Sequence, residues 1–367
     1  EEEGDDEEDN AETQEEFGQL FCAAVRVDPA GVLGFVEAAV ASACTGDEST
    51  QASPERAVAA LHLLTLFGDG VASLRQQQQQ RTKHRKRKAP PQAPPPPAPS
   101  EAGADGVLER VQQLIVLLAT HGLGTRQWPE AVVLAFLECV AQYSTAVAAV
   151  PAAAVPVVQA FLDDRGVRSS DHAVCSRAAV LLQRFLRGAQ THLAPYIADI
   201  VAGLLPVLAQ PGADADRLGL YECLGAVLGA RPPAAPELLR EVVAPLHALL
   251  MQAASAPATP ADGEAAWRLT LARQALAALT ALSKGFALQE TVDGDAALAR
   301  VFAETLPALV ALLAGAPRDP GVWQQAATFV HRIVDALGAH ALPRLGAPLQ
   351  QLCRTVVVPD SIRVGSS

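Results

Sequence analysis

The chain has 367 residues, a formal net charge of −12, and a composition that is 50 % hydrophobic but only 4 % aromatic, with a single Met. That length suffices for a large core or for two ordinary domains, while the shortage of aromatics argues against a conventional globular core and for closely stacked helices. The six cysteines (22, 44, 139, 175, 223 and 353) show no C-x-x-C pair and no Cys/His cluster at zinc spacing, so free thiols and no metal site are expected.

Residues 1–16, EEEGDDEEDNAETQEE, carry eleven acidic groups, which leaves the remainder of the chain near −1. A block this dense in one sign is expected to be a disordered, solvated tail or loop. The chain begins without Met in the middle of this run and is expected to be a piece of something longer. No signal peptide and no uncharged run of 18 apolar residues stands out, so no membrane insertion is expected.

From there the apolar periodicity predicts helices over 12–27, 29–45, 54–73, 105–121, 129–147, 152–163, 171–188, 191–209, 214–230, 236–254, 264–284, 295–315, 319–338 and 341–356. Ser53-Pro54-Glu55 and Trp128-Pro129-Glu130 set Pro at a first helical position beside an acid. Gly68, Gly122, Gly188 and Gly229 supply stop signals. No alternating strand pattern persists beyond a few residues.

Between the third and fourth helices, residues 75–104 hold a glutamine run, then RTKHRKRK, then a proline tract. This composition predicts a disordered insertion. Arg81, Lys83, Arg85, Lys86, Arg87 and Lys88 make it basic, and three roles fit them: a nuclear-import signal, an auxiliary RNA contact, or simple solubilisation. The expected organisation is therefore an acidic tail over 1–16, helices over 17–74, the insertion over 75–104, a solenoid over 105–358 and a flexible end over 359–367.

Four helices carry a proline inside an apolar stretch, at Pro206, Pro245, Pro307 and Pro348, spaced by 39, 62 and 41 residues. A period near 40 with two helices per unit is the HEAT pattern. One such pair cannot bury its apolar face alone, so the expected fold is an all-α HEAT-repeat solenoid of antiparallel helix pairs.

Catalytic signatures are absent: no P-loop, no G-x-G-x-x-G, no G-x-S-x-G and no H-E-x-x-H. His331, in FVHRIV, is expected to be a partly buried packing histidine. No enzyme, cofactor or small-molecule substrate is expected. The stronger signal is Phe161–Arg187, FLDDRGVRSSDHAVCSRAAVLLQRFLR. On a helix over 171–188, Arg177 and Arg184 lie seven apart and share a face, with Arg187 one turn on, while Val174, Ala178, Leu181, Leu182 and Phe185 form the apolar face. Arg165 and Arg168 stand in the preceding turn. Two roles fit these arginines: pairing with Asp163, Asp164 and Asp171 to lace repeats together, or clamping phosphates of a structured RNA. The lack of nearby aromatics favours duplex shape over single strands as the RNA form.

This segment resembles the exportin-T family of the importin-beta superfamily, whose pattern runs FLDxRGxRxxxxxVxSRxxxLxxRF. Phe161, Leu162, Asp163, Arg165, Gly166, Arg168, Val174, Ser176, Arg177, Leu181, Arg184 and Phe185 fall on it. Cys175 departs from it, standing where the family tends to carry a basic residue. The stretch 214–230 resembles another family helix through Asp216, Leu218, Tyr221, Glu222 and Gly225, and 323–345 a third region through Phe329, His331, Arg332, Leu342 and Pro343. SKGF at 283–286 is a looser match. The resemblance implies the central part of a carrier that binds mature tRNA cooperatively with Ran-GTP, passes nuclear pore proteins, and shuttles between nucleus and cytoplasm. It further implies that Ran is held mostly by regions outside this chain. The alternative is a generic HEAT scaffold, or a transport receptor for protein cargo, that ignores RNA.

Overall fold

A computed structural model describes residues 2–44, 53–88, 102–121, 128–209, 215–229, 235–255, 262–286, 295–315 and 319–337, with positions 346 and 350 besides. Every regular element among them is helical, and no strand occurs among the described residues. The fold is the all-α helical solenoid class, divided into two units, 1–189 and 190–367.

The first unit holds α1 (Glu2–Val27), α2 (Pro29–Cys44), α3 (Pro54–Lys88), α4 (Ala102–His121), α5 (Glu130–Gln142), α6 (Ser144–Ala148), α7 (Pro151–Leu162) and α8 (His172–Ala189). Its packing has two layers: α1, α3, α5 and α8 stack in turn, and α2, α4 and α7 stack beside them, with the short α6 against α4, α7 and α8. The second unit holds a 3-10 turn (Ala194–Tyr196), α9 (Ile197–Leu208), α10 (Ala215–Gly229), α11 (Ala235–Ala254), α12 (Asp262–Phe286), α13 (Asp295–Gly315) and α14 (Pro320–Leu337). There α10, α12 and α14 form one layer and α9, α11 and α13 the other. Helices thus pack on others two or three places on in sequence, which is how repeats with one apolar face apiece build a continuous core.

The internal prolines follow this layering. Pro206, Pro245 and Pro307 lie inside α9, α11 and α13, all exposed, and Pro156 lies half-buried inside α7. A mid-helix proline leaves the carbonyl four residues earlier without its N–H partner, and an outward position lets water take that carbonyl. Pro348 lies outside the described residues.

Two segments differ from the composition-based expectation of disorder. Helix α1 begins at Glu2, so the acidic run is helical, and α3 continues to Lys88 through the glutamine and basic runs. Both charge blocks sit where the helix macrodipole favours them, acids at an N-terminus and bases at a C-terminus, and glutamine is a good helix former. Of the expected insertion, 89–101 lies outside the described residues, as does the expected flexible end. The helix expected over 129–147 is broken at Tyr143, whose hydroxyl donates to the Leu64 carbonyl of α3 at 2.7 Å. Burial pushes the Tyr143 hydroxyl well above the usual phenol range.

By length and composition Pro54–Leu74 is apolar enough to cross a membrane. Its Leu61, Leu64 and Phe67 are instead buried, and the helix is flanked by α1, α2 and α5.

Ion pairs join neighbours within a layer: Arg110 of α4 with Glu37 of α2, Arg177 of α8 with Glu138 of α5 at 2.8 Å, and Arg273 of α12 with Asp319 at 2.6 Å. Asp319 also caps α14, accepting the Val322 N–H at 2.9 Å. That backbone hydrogen bond, and next the Arg273 guanidinium, hold its carboxyl below the usual carboxylate range. A depressed carboxyl stabilises the fold above the unfolded-state pKa, and the contribution fades as pH falls through the folded-state value. Asp319→Ala is therefore expected to cost about 1 kcal/mol at pH 7, as a lost cap does. The gap to wild type, read from urea midpoints, should shrink in acid; a gap independent of pH would remove the capping account.

Candidate nucleic-acid interface

The turn between α7 and α8 is built from its own motif. Phe161 is fully buried at the end of α7, its ring 5.4 Å from that of Phe185 in α8. The Val167 N–H returns to the Phe161 carbonyl at 2.9 Å, while Gly166 and Arg168 N–H groups donate to the Asp163 carbonyl at 3.0 and 3.3 Å. A Cβ on Gly166 would stand 2.2 Å from the Phe161 carbonyl oxygen, so only glycine allows this corner to close. Cys175 uses its thiol here, donating to the Val167 carbonyl with Sγ at 3.1 Å.

The carboxylates of the motif divide their work. Asp163 holds Arg165: its oxygens accept from the guanidinium Nε at 3.1 and 3.0 Å and from an Nη at 2.6 Å, and one also takes the Arg165 backbone N–H. Asp171 Oδ1 instead accepts the N–H groups of Ala173 (2.7 Å) and Val174 (3.2 Å), capping α8. Sequence proximity offered both aspartates to the arginines; the backbone claims Asp171 because the first N–H groups of a helix have no partner within it.

The five candidate arginines therefore separate. Arg165 is only 23 % exposed and is fastened to Asp163, which makes it a brace of the turn. Arg177 is 50 % exposed and bridges to Glu138 on α5. Arg168, Arg184 and Arg187 are exposed, the last two in the final turns of α8. The opposite face of α8, with Val174, Ala178, Leu181, Leu182 and Phe185, is buried as the periodicity predicts. His331, expected to be partly buried, is exposed on α14. For Arg81, Lys83, Arg85, Lys86, Arg87 and Lys88 the helical path of α3 is described, whereas the proline tract after them is not. No group of three or more potential metal ligands occurs among the described residues.

Spacing alone did not reveal the Glu138–Arg177 bridge, whose partners are 39 residues apart. Nor did it reveal Thr145, whose hydroxyl donates to the Gly188 carbonyl at 2.8 Å and ties α6 to the end of α8. Neither short-range pattern nor charge marks such pairs, because the stacking of non-consecutive helices creates them.

The family model for Exportin-T matches residues 98–356, a span that contains the whole of this turn and α8. Among curated relatives, Exportin-T of Arabidopsis thaliana is 28 % identical over 216 residues, covering 53 % of this chain and 21 % of the relative. Exportin-T of Danio rerio is 26 % identical over 273 residues (71 % and 28 %), and that of Homo sapiens 25 % identical over 271 residues (68 % and 27 %). The chain thus spans roughly a fifth to a quarter of the length of these relatives.

Proposed function

The chain belongs to the exportin-T family, and from that membership we propose that it is a segment of a nuclear export receptor that carries mature tRNA with Ran-GTP from nucleus to cytoplasm. The observation that carries the proposal is the family match across 98–356. The exposed Arg168, Arg184 and Arg187 support an electrostatic contact with a phosphate backbone. Such a receptor works by reversible binding, with coupling between Ran-GTP and RNA expressed through small rotations between stacked helix pairs. In this reading Ran and nuclear pore proteins are its other partners, it shuttles between nucleus and cytoplasm, and it needs no cofactor.

The generic scaffold is supported by one observation: Arg165 and Arg177, two of the five candidate arginines, are engaged by carboxylates and so serve packing. The two readings part in one experiment. The full-length protein is titrated with mature tRNA and with an unfolded RNA of equal length, with and without Ran locked in its GTP form. Retention of folded tRNA that depends on Ran-GTP is expected; equal binding of both RNAs, or none, leaves the scaffold. Within the carrier reading, combined Arg168→Ala, Arg184→Ala and Arg187→Ala should make the log–log salt dependence of tRNA affinity shallower by about 2, as three lost phosphate contacts require. Arg165→Ala should instead act on stability.

A further inference from the structure

In the first layer of the first unit α1 and α3 run in the same direction, and so do α5 and α8. Gly18 of α1 lies level with Leu66 of α3, and further along Val25 lies level with Gly70. Gln142 and Tyr143, at the end of α5, reach Asp69 and Gly68 of α3. Ser144 and Thr145, which follow directly, reach Gly188 at the end of α8. Asp69 of α3 and Gly188 of α8 therefore stand at one level, at the C-terminal edge of the layer.

Past that level α8 stops, and α3 does not. At 1.5 Å per residue, the segment from Arg81 to Lys88 occupies about 18–28 Å of helix beyond Asp69. Six of the eight residues of that segment, RTKHRKRK, are basic and none is apolar. A helix polar all round has no apolar stripe with which to join a core. Arg184 and Arg187 occupy the last turns of α8 at the same edge. The acidic run lies at the other end: residues 2–16 precede Gly18 in α1 and so extend along the N-terminal edge. The two charge blocks therefore lie toward opposite ends of the α1–α3 pair.

From this juxtaposition we infer that the C-terminal extension of α3 is a basic helical arm that, together with Arg184 and Arg187, contacts the phosphate backbone of a folded RNA along one edge of the unit. The inference rests on the RNA-carrier reading and adds to it a contact, outside the family-matched span of 98–356, that enlarges the RNA footprint. The chemistry is unselective for base sequence, since ammonium and guanidinium groups on phosphates carry no base information.

The test uses the full-length protein with Ran-GTP and mature tRNA, measuring dissociation constants across a salt series. The arm variant combines Arg81→Gln, Lys83→Gln, Arg85→Gln, Lys86→Gln, Arg87→Gln and Lys88→Gln, which keeps good helix formers in place. It is expected to bind about ten-fold more weakly, with a log–log slope shallower by about 2, corresponding to two or three phosphates released. Its thermal unfolding should match wild type, because the arm lies past the packed layer. Arg184→Gln with Arg187→Gln should lower the slope separately, and joining the two sets should lower it further. Wild-type slope and affinity in the arm variant overturn the inference, and loss of nuclear entry by that variant would then mark the run as an import signal. Failure of the wild-type protein to bind tRNA removes the carrier reading itself and the arm with it.

Discussion

Gly285→Ala should lower the stability of the second unit by about 3 kcal/mol, the upper end of what an added methyl costs in a packed interior. The reason is the approach of α12 to α10. A Cβ on Gly285 would stand 2.1 Å from the Ala226 nitrogen and 2.5 Å from the Glu222 carbonyl oxygen, and one on Gly225 would stand 2.0 Å from the Leu282 carbonyl oxygen. These neighbours are backbone, so no rotamer change relieves the overlap and the two helices must separate. Gly225→Ala is expected to behave alike. Gly34→Ala in α2 is the contrast: nothing lies within 4 Å of its Cβ position, and replacing a helical glycine there should stabilise by about 0.5–1 kcal/mol. Urea unfolding followed by Trp267 and Trp323, which lie in α12 and α14, reads the second unit. A Gly285→Ala chain as stable as wild type would mean that α10 and α12 do not meet this closely.

Phe185→Ala should cost the first unit about 3–5 kcal/mol, the range for removing a fully buried phenyl ring. Phe185 is wholly buried, and so is Phe161, which it touches across the turn. The pair closes the α7–α8 corner from inside while Gly166 and Asp163 close it from outside. Part of the loss belongs to the ring–ring contact: a double-mutant cycle of Phe161→Leu and Phe185→Leu should show coupling of about 0.5–1.5 kcal/mol. Additive effects within error would show that each ring packs independently. In the proposed carrier reading, where Arg184 and Arg187 on α8 meet RNA, a destabilised Phe185→Ala chain should also lose RNA affinity and recover it when cooling or an osmolyte restores the fold.

The family pattern therefore has a mixed physical origin. Phe161, Asp163, Arg165, Gly166 and Phe185 are accounted for by how the corner folds. Arg168 and Arg184 are exposed positions of the pattern. Gly225 and Gly285, which belong to two separate stretches of family likeness, meet each other in the structure.

Local patterning alone determined the helical class, the buried face of α8, and the proline-bearing helices of one layer, because a 3.6-residue period and a fixed φ act within a few residues. It also singled out the α7–α8 segment, since all parts of that corner lie within 27 residues of each other. Only the tertiary structure decided which arginines brace the fold and which stay exposed. That choice depends on Glu138, 39 residues before Arg177, and on the helix end that claims Asp171. Composition expected disorder in both charge blocks, whereas the structure continues helices through them, each at the end where the macrodipole favours its sign. Their placement at opposite edges was equally out of reach of the sequence, because it follows from α1 and α3 packing in parallel register, which no local pattern encodes.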